Sequence, residues 1–200
     1  MKRKYMIFIS LILFLVFLFL YLINNINFID NIIYNIIISI KSIKITNFMK
    51  FITFFASTYF IIFLMIVFLM LSFIKGKIFN LINLLIIGNT ILNRIVKILV
   101  RRERPTLINL IEETSYSFPS GHTMISVTLY GFIIYLIYKS KLNNNIKTFL
   151  IICLLLLIIL IIISRIYLGV HYFSDCIAGV FLALAFLLTS IEIMERKKIL

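Results

Sequence analysis

The chain holds only two histidines, His122 and His171, and each sits in a short polar cluster within an otherwise apolar sequence. Asp175 follows His171 at i+4. On a helix that spacing lets the carboxylate hold one imidazole nitrogen and leaves the other free of its proton, as a nucleophile. His122 closes Pro119-Ser120-Gly121-His122, immediately before an apolar run. A helix starting there offers free backbone N–H groups and a positive dipole end to an anion. Ser120 adds a hydroxyl donor, and His122 a proton donor tunable near neutral pH. Lys97 is followed after six residues by Arg104-Pro105, and Ser164-Arg165 precedes His171 by five. Lys97 and Arg104 are about two helical turns apart, which predicts one shared face on a helix that Pro105 stops.

Each cluster alone has an ordinary explanation. Basic residues at a membrane rim snorkel, and Arg101 and Arg102 read that way. Ser120 could be a plain helix cap, and His171–Asp175 a structural pair. Glu103, Glu112 and Glu113 read as solvated charges. The coincidence is harder to dismiss, because three cations and both histidines would converge on one anion-sized cradle.

The elements that must position these groups are membrane helices. Of 200 residues, 63% are apolar and 14% charged, against about 45–50% and 25% in soluble domains. A small globule cannot hide that much apolar surface, which excludes a soluble enzyme, a disordered chain and a disulfide scaffold. The net charge of +13 fits the cytoplasmic ends of membrane spans, so no nucleic-acid partner is inferred. Cys153 and Cys176 have neither metal-ligand nor disulfide-framework spacing.

A span needs about 20 mostly apolar residues. Six neutral stretches qualify once extended by a turn: Tyr5–Ile29, Phe51–Ile74, Ile78–Asn93, Thr114–Tyr138, Thr148–Ser164 and Cys176–Ile191. The fourth helix is expected to start near His122. The reading is an all-α integral membrane protein, one domain over residues 1–200, with six transmembrane helices in a bundle. The first apolar run is too long for a signal sequence and is read as a retained helix. Between the first two spans, Asn31, Asn35, Ser39, Ser42 and Thr46 make a polar stripe across Phe28–Lys50. That stripe suits an interfacial helix; a seventh span is the alternative.

Two crossings separate the loop that carries the first two clusters from the loop that carries the third, so both face one side. Lys and Arg are split eleven to nine in favour of the side that holds both termini. Five of the nine are Lys97, Arg101, Arg102, Arg104 and Arg165, in or beside the clusters. With those set aside, the termini are expected to be cytoplasmic, at a multi-pass cell membrane, and the clusters extracytoplasmic.

Lys97-x6-Arg104-Pro105, Pro119-Ser120-Gly121-His122 and Ser164-Arg165-x5-His171-x3-Asp175 resemble the three-part signature of the type 2 phosphatidic acid phosphatase (PAP2) family, over residues 97–175. The resemblance implies a membrane phosphatase. Lys97, Arg104 and Arg165 would bind phosphoryl oxygens, with Ser120 and the Gly121 N–H completing the cradle. His171 would form a phosphohistidine, His122 would protonate the leaving oxygen and then activate water, and Asp175 would orient His171. Three fixed cations can do the work of Mg²⁺, and the sequence has no carboxylate cluster to hold a metal, so neither metal nor cofactor is expected.

The expected partners are a lipid phosphate or diphosphate and the bilayer, with no obligate protein partner. Undecaprenyl diphosphate is the favoured substrate by family analogy, with phosphatidylglycerophosphate and phosphatidic acid open. A lipid phosphotransferase is the second enzyme class, and a channel or transporter subunit the non-enzyme reading. The related vanadium haloperoxidases are soluble, which sets them aside.

Overall fold

The computed structural model describes residues 2–106, 110–111 and 113–199. Among these all the regular secondary structure is helical: α1 (Lys2–Leu22), α2 (Asn27–Ser39), α3 (Ile43–Phe54), α4 (Thr58–Lys75), α5 (Ile78–Val100), α6 (Gly121–Lys139), α7 (Asn144–Tyr167) and α8 (Phe173–Arg196). Six helical segments are long and apolar enough to cross a membrane, with α3 and α4 together supplying the second.

The helix that carries His122 lies at the centre. Half of the apolar stretch of α6 is buried, against 11% for α1 and α7. It packs on α5, α7 and α8, while α1 covers α8 and α4 covers α5. The outer helices turn Phe8, Phe19, Phe63 and Phe149 outward, the apolar girdle that hydrocarbon requires. Two polar pairs tie the bundle. Thr128 donates to Asn89 Oδ1 at 3.0 Å, joining α6 to α5, and the Tyr167 hydroxyl bonds the backbone of Ser42, the cap of α3, and Thr46 within it.

The stretch before α4 departs from the expected pattern. The stripe from Asn31 to Thr46 is not one helix, because α2 ends at Ser39 and Ser42 caps α3 by accepting from Ile45 N at 3.3 Å. Residues 43–50 therefore belong to a helix on α7, and α2 packs on α7 and α8. The run from Phe51 to Ile74 is also broken, since Ser57 caps α4 by accepting from Phe60 N.

The two ends of the bundle differ chemically. At one end Arg3 pairs with Glu195 at 2.5 Å, Tyr135 donates to Glu195 and Arg196 pairs with Glu192. That clasp joins the start of α1 to the ends of α6 and α8. At the other end lie the α5–α6 connection, the α7–α8 bend and α2.

Candidate active site

Both connections converge on the N-terminal turns of α6 and α8. Ser120 caps α6, accepting from Thr123 N at 3.4 Å and from Thr123 Oγ1 at 3.1 Å, so its own hydroxyl proton remains to donate. Asn93 of α5 holds the turn before it by donating to Pro119 O at 3.1 Å. Ser120 N donates to Asp175 O at 3.1 Å, bolting that turn to α8. Gly179 makes the approach possible, since a Cβ there would sit 3.2 Å from Ser120 O. Gly169, at φ +72°, supplies the left-handed residue that ends α7 and returns the chain toward His171.

A cavity of about 580 Å³ opens at this end, with Lys97, Arg104, Gly121, His122 and His171 among its lining residues. Ser120 and Asp175 stand behind that wall, fully buried. Arg165 reaches the site through Glu113, whose Oε1 accepts from Arg165 Nη2 at 2.6 Å; Glu113 Oε2 lies 3.7 Å from Arg104 Nη2. The other Arg165 arm donates to Thr53 of α3 at 2.8 Å. Its buried Nε has no partner among the described residues. Glu113 thus lies across two cations and is not the solvated charge that the sequence suggests. Glu112 lies outside the described residues.

Lys97 and Arg104 meet by a different route from the expected one. The helix ends at Val100, and Arg101 adopts the left-handed conformation, so Arg104 is on a loop. The two side chains converge on Ser115, whose Oγ is 3.3 Å from Lys97 Nζ and 3.1 Å from Arg104 Nη2. Lys97 also donates to Tyr116 O.

The surroundings of His171 fix its tautomer. Arg104 Nη1 lies 3.3 Å from His171 Nε2. A guanidinium only donates, so Nε2 is the acceptor and the proton resides on Nδ1. Asp175 Oδ2 is 3.6 Å from Nδ1, beyond a hydrogen bond, and Ser117 Oγ stands between. That hydroxyl is 3.3 Å from Nδ1 and donates to Asp175 Oδ2 at 2.5 Å. The imidazole–carboxylate link therefore runs through Ser117, a residue the motif spacing did not single out. Burial first, then the neighbouring cations Arg104, Arg165 and Lys97, hold the His171 pKa well below the ordinary histidine range.

Residues 77–199 match the family model described as the PAP2 superfamily. The chain belongs to that superfamily. Phosphatidylglycerophosphatase B of Bacillus subtilis (strain 168) is 36% identical over 107 residues, covering 52% of this chain and 53% of the relative. The chain thus aligns with about half the length of that curated relative. A transmembrane PAP2 type phosphatidylglycerolphosphate phosphatase from Bacillus subtilis has the same fold with a TM-score of 0.88, at 26% identity, over 96% of this chain and 97% of that one. Aquifex aeolicus LpxE shares the fold at a TM-score of 0.63 and 23% identity, over 80% and 92% of the two chains.

Within this PAP2 chain, sequence reasoning missed four polar residues around the signature. Asp30, Arg102, Ser117 and Glu113 all bond to signature side chains or to one another. Asp30 carried a readable signal: an acidic residue, one of only seven acidic side chains, ends a long apolar run.

Proposed function

We propose that the chain is a membrane lipid phosphatase that hydrolyses a phosphomonoester of the phosphatidylglycerophosphate type through a phosphohistidine. One observation carries the reading: the cavity joins a cationic cradle to an apolar cleft. From Lys97, Arg104 and the two histidines it runs between Ile61 and Ile62 of α4 and Ile87 and Ile91 of α5. Ile62, Ile87 and Ile91 are also exposed, on helices apolar enough to lie against lipid. A phosphate in the cradle would leave its lipid tail in that cleft. The relatives named for phosphatidylglycerophosphate support this headgroup over undecaprenyl diphosphate, the substrate expected from the resemblance.

Lys97, Arg104 and Arg165 bind the phosphoryl oxygens with Ser120 and the Gly121 N–H, and stabilise the charge that spreads over them in flight. His171 Nε2 forms the N–P bond as the P–O bond to the lipid breaks, and His122 gives the departing alkoxide its proton. Water then attacks phosphorus, His122 takes the water proton, and rupture of the N–P bond releases phosphate and restores His171. Asp175 orients His171 throughout. The site faces away from the cytoplasm, and both termini face it.

The test is purified protein assayed against lipid monophosphates and diphosphates sharing one tail, with a water-soluble phosphomonoester beside them. Phosphatidylglycerophosphate is expected to give the highest kcat/KM. Equal turnover of the water-soluble ester would remove the lipid from the reading, and faster turnover of undecaprenyl diphosphate would reassign it.

A further inference from the structure

We infer that Arg102 and Asp30 are positioning residues of this site, setting the aim of His171 through Asp175. The inference rests on the roles proposed above for His171 and Asp175.

Arg102 is not a snorkelling rim residue; only 4% of it is exposed. Its Nη1 donates to Asp175 Oδ1 at 2.6 Å and to Ser174 Oγ at 2.7 Å, and its Nη2 donates to Asp30 Oδ2 at 2.7 Å. The rings of Tyr172 and Tyr21 cover the guanidinium at 4.0 and 4.8 Å. A planar cation is thus fixed in its plane by two carboxylates and across it by two aromatic rings. Asp30 is locked in turn, its Oδ1 accepting from Ser174 N at 2.9 Å and its Oδ2 from Ser174 Oγ at 2.7 Å.

This network ends on the reacting imidazole. Oδ2 of Asp175 accepts from Ser117 Oγ and from Tyr172 N, and Oδ1 faces Arg102. Both oxygens of this buried carboxylate are thus held, one by Ser117 and Tyr172 and the other by Arg102. Arg102 also grips Ser117 from behind, its carbonyl accepting from Ser117 N at 2.8 Å. Ser117 is the group that meets His171 Nδ1. Without Asp30 the fork loses one anion, and a buried guanidinium short of a partner shifts or draws in water. Either change turns Asp175, then Ser117, then the imidazole. Small misplacements of a reacting group cost on the order of 10²-fold in rate.

Neither Asp30 nor Arg102 lines the cavity. Substrate contacts are therefore spared, and the loss belongs in kcat. The variants to test are Arg102→Gln, Arg102→Lys, Asp30→Asn and the double variant Asp30→Asn/Arg102→Gln, with Asp175→Asn as reference. Steady-state kinetics on a lipid phosphate and inhibition by inorganic phosphate give the readouts. Each single variant is expected to lower kcat by roughly tenfold or more while KM and the inhibition constant of inorganic phosphate, which needs only the cradle, move less than about twofold. Arg102→Lys keeps the charge but not the fork, so it should recover only part of the loss. The double variant should be no worse than the poorer single one, as for groups that act as a unit.

Near-parental kcat in Arg102→Gln and Asp30→Asn, with Asp175→Asn impaired, would overturn this inference alone. An active Asp175→Asn enzyme would overturn the proposed role of Asp175 with it. Affinity for inorganic phosphate falling in step with kcat, or loss of the folded protein across the series, would make the pair a brace for the fold and would also overturn it.

Discussion

The guanidinium of Arg104 donates to Nε2 of His171 at 3.3 Å, so one side chain both carries positive charge into the cradle and marks which nitrogen is unprotonated. The same contact penalises protonation of the ring. A histidine held well below its ordinary range by burial and by Arg104, Arg165 and Lys97 stays neutral as the medium becomes acidic.

The sign of the pH effect follows. Attack needs neutral His171, and its lowered pKa puts the loss of that form below about pH 6.5, the ordinary histidine value. In His122→Ala, which lacks the acid proposed for the same step, the rate of phosphoenzyme formation should therefore hold as pH falls from 7.5 toward 6.5 and decline only below that. Rapid-quench rates corrected for the separately measured ionisation of the substrate would check it. A limb at or above pH 6.5 would contradict the assignment.

Glu113 makes a second prediction. Its carboxylate lies on Arg165 and near Arg104, the groups proposed to hold phosphate. An anionic inhibitor must compete with it. Glu113→Gln should lower the vanadate inhibition constant by roughly threefold to tenfold, an effect that weakens with added salt because Glu113 is partly exposed. Unchanged or weaker inhibition would mean that Glu113 holds Arg165 in place and does not compete.

How much of this was legible in the sequence divides by range. Membrane helices are read from local apolar runs, and the start of α6 at Gly121 follows from Pro119 and Ser120 nearby. Lys97, Arg104, His122 and His171 line one cavity because two loops at one end of a bundle must meet. The shared helical face for Lys97 and Arg104 failed, since nothing local foretells that Arg101 turns left-handed. Arg102 could not be separated from Arg101 at all. Its partners Asp30 and Asp175 are 72 and 73 residues away, and no periodicity spans that distance. Ser117 was hidden for the opposite reason, because a serine two residues before a proline turn looks like loop chemistry.

Topology gives a third prediction. The clasp of Arg3, Glu192, Glu195 and Arg196 lies at the end of the bundle opposite the site, and basic residues gather there. By the positive-inside rule that end is expected to be cytoplasmic. Thr106 is exposed on the loop that carries Arg104. With Cys153 and Cys176 replaced, Thr106→Cys should react with an impermeant thiol reagent in intact cells. Labelling only after permeabilisation would invert the orientation.

The two histidines should differ in their response to the leaving group. His171→Ala removes the proposed nucleophile, so every substrate should lose nearly all turnover, whatever departs. His122→Ala removes the proposed general acid, an effect typically worth about 10²–10⁴-fold. That loss should be greatest for a lipid monophosphate, whose departing alkoxide is strongly basic and needs a proton. It should be smaller for a diphosphate of the same lipid, whose departing phosphate is a better leaving group. The comparison belongs on the first step, in which the phosphohistidine is proposed to form, because His122 is proposed to activate water in the second. His122 lines the same cavity as His171 and Arg104, so its replacement should leave the cradle in place. Rapid-quench burst rates for His122→Ala on the matched pair give the ratio directly. Equal losses on both substrates, or a His171→Ala enzyme that still turns over, would reverse this division of labour.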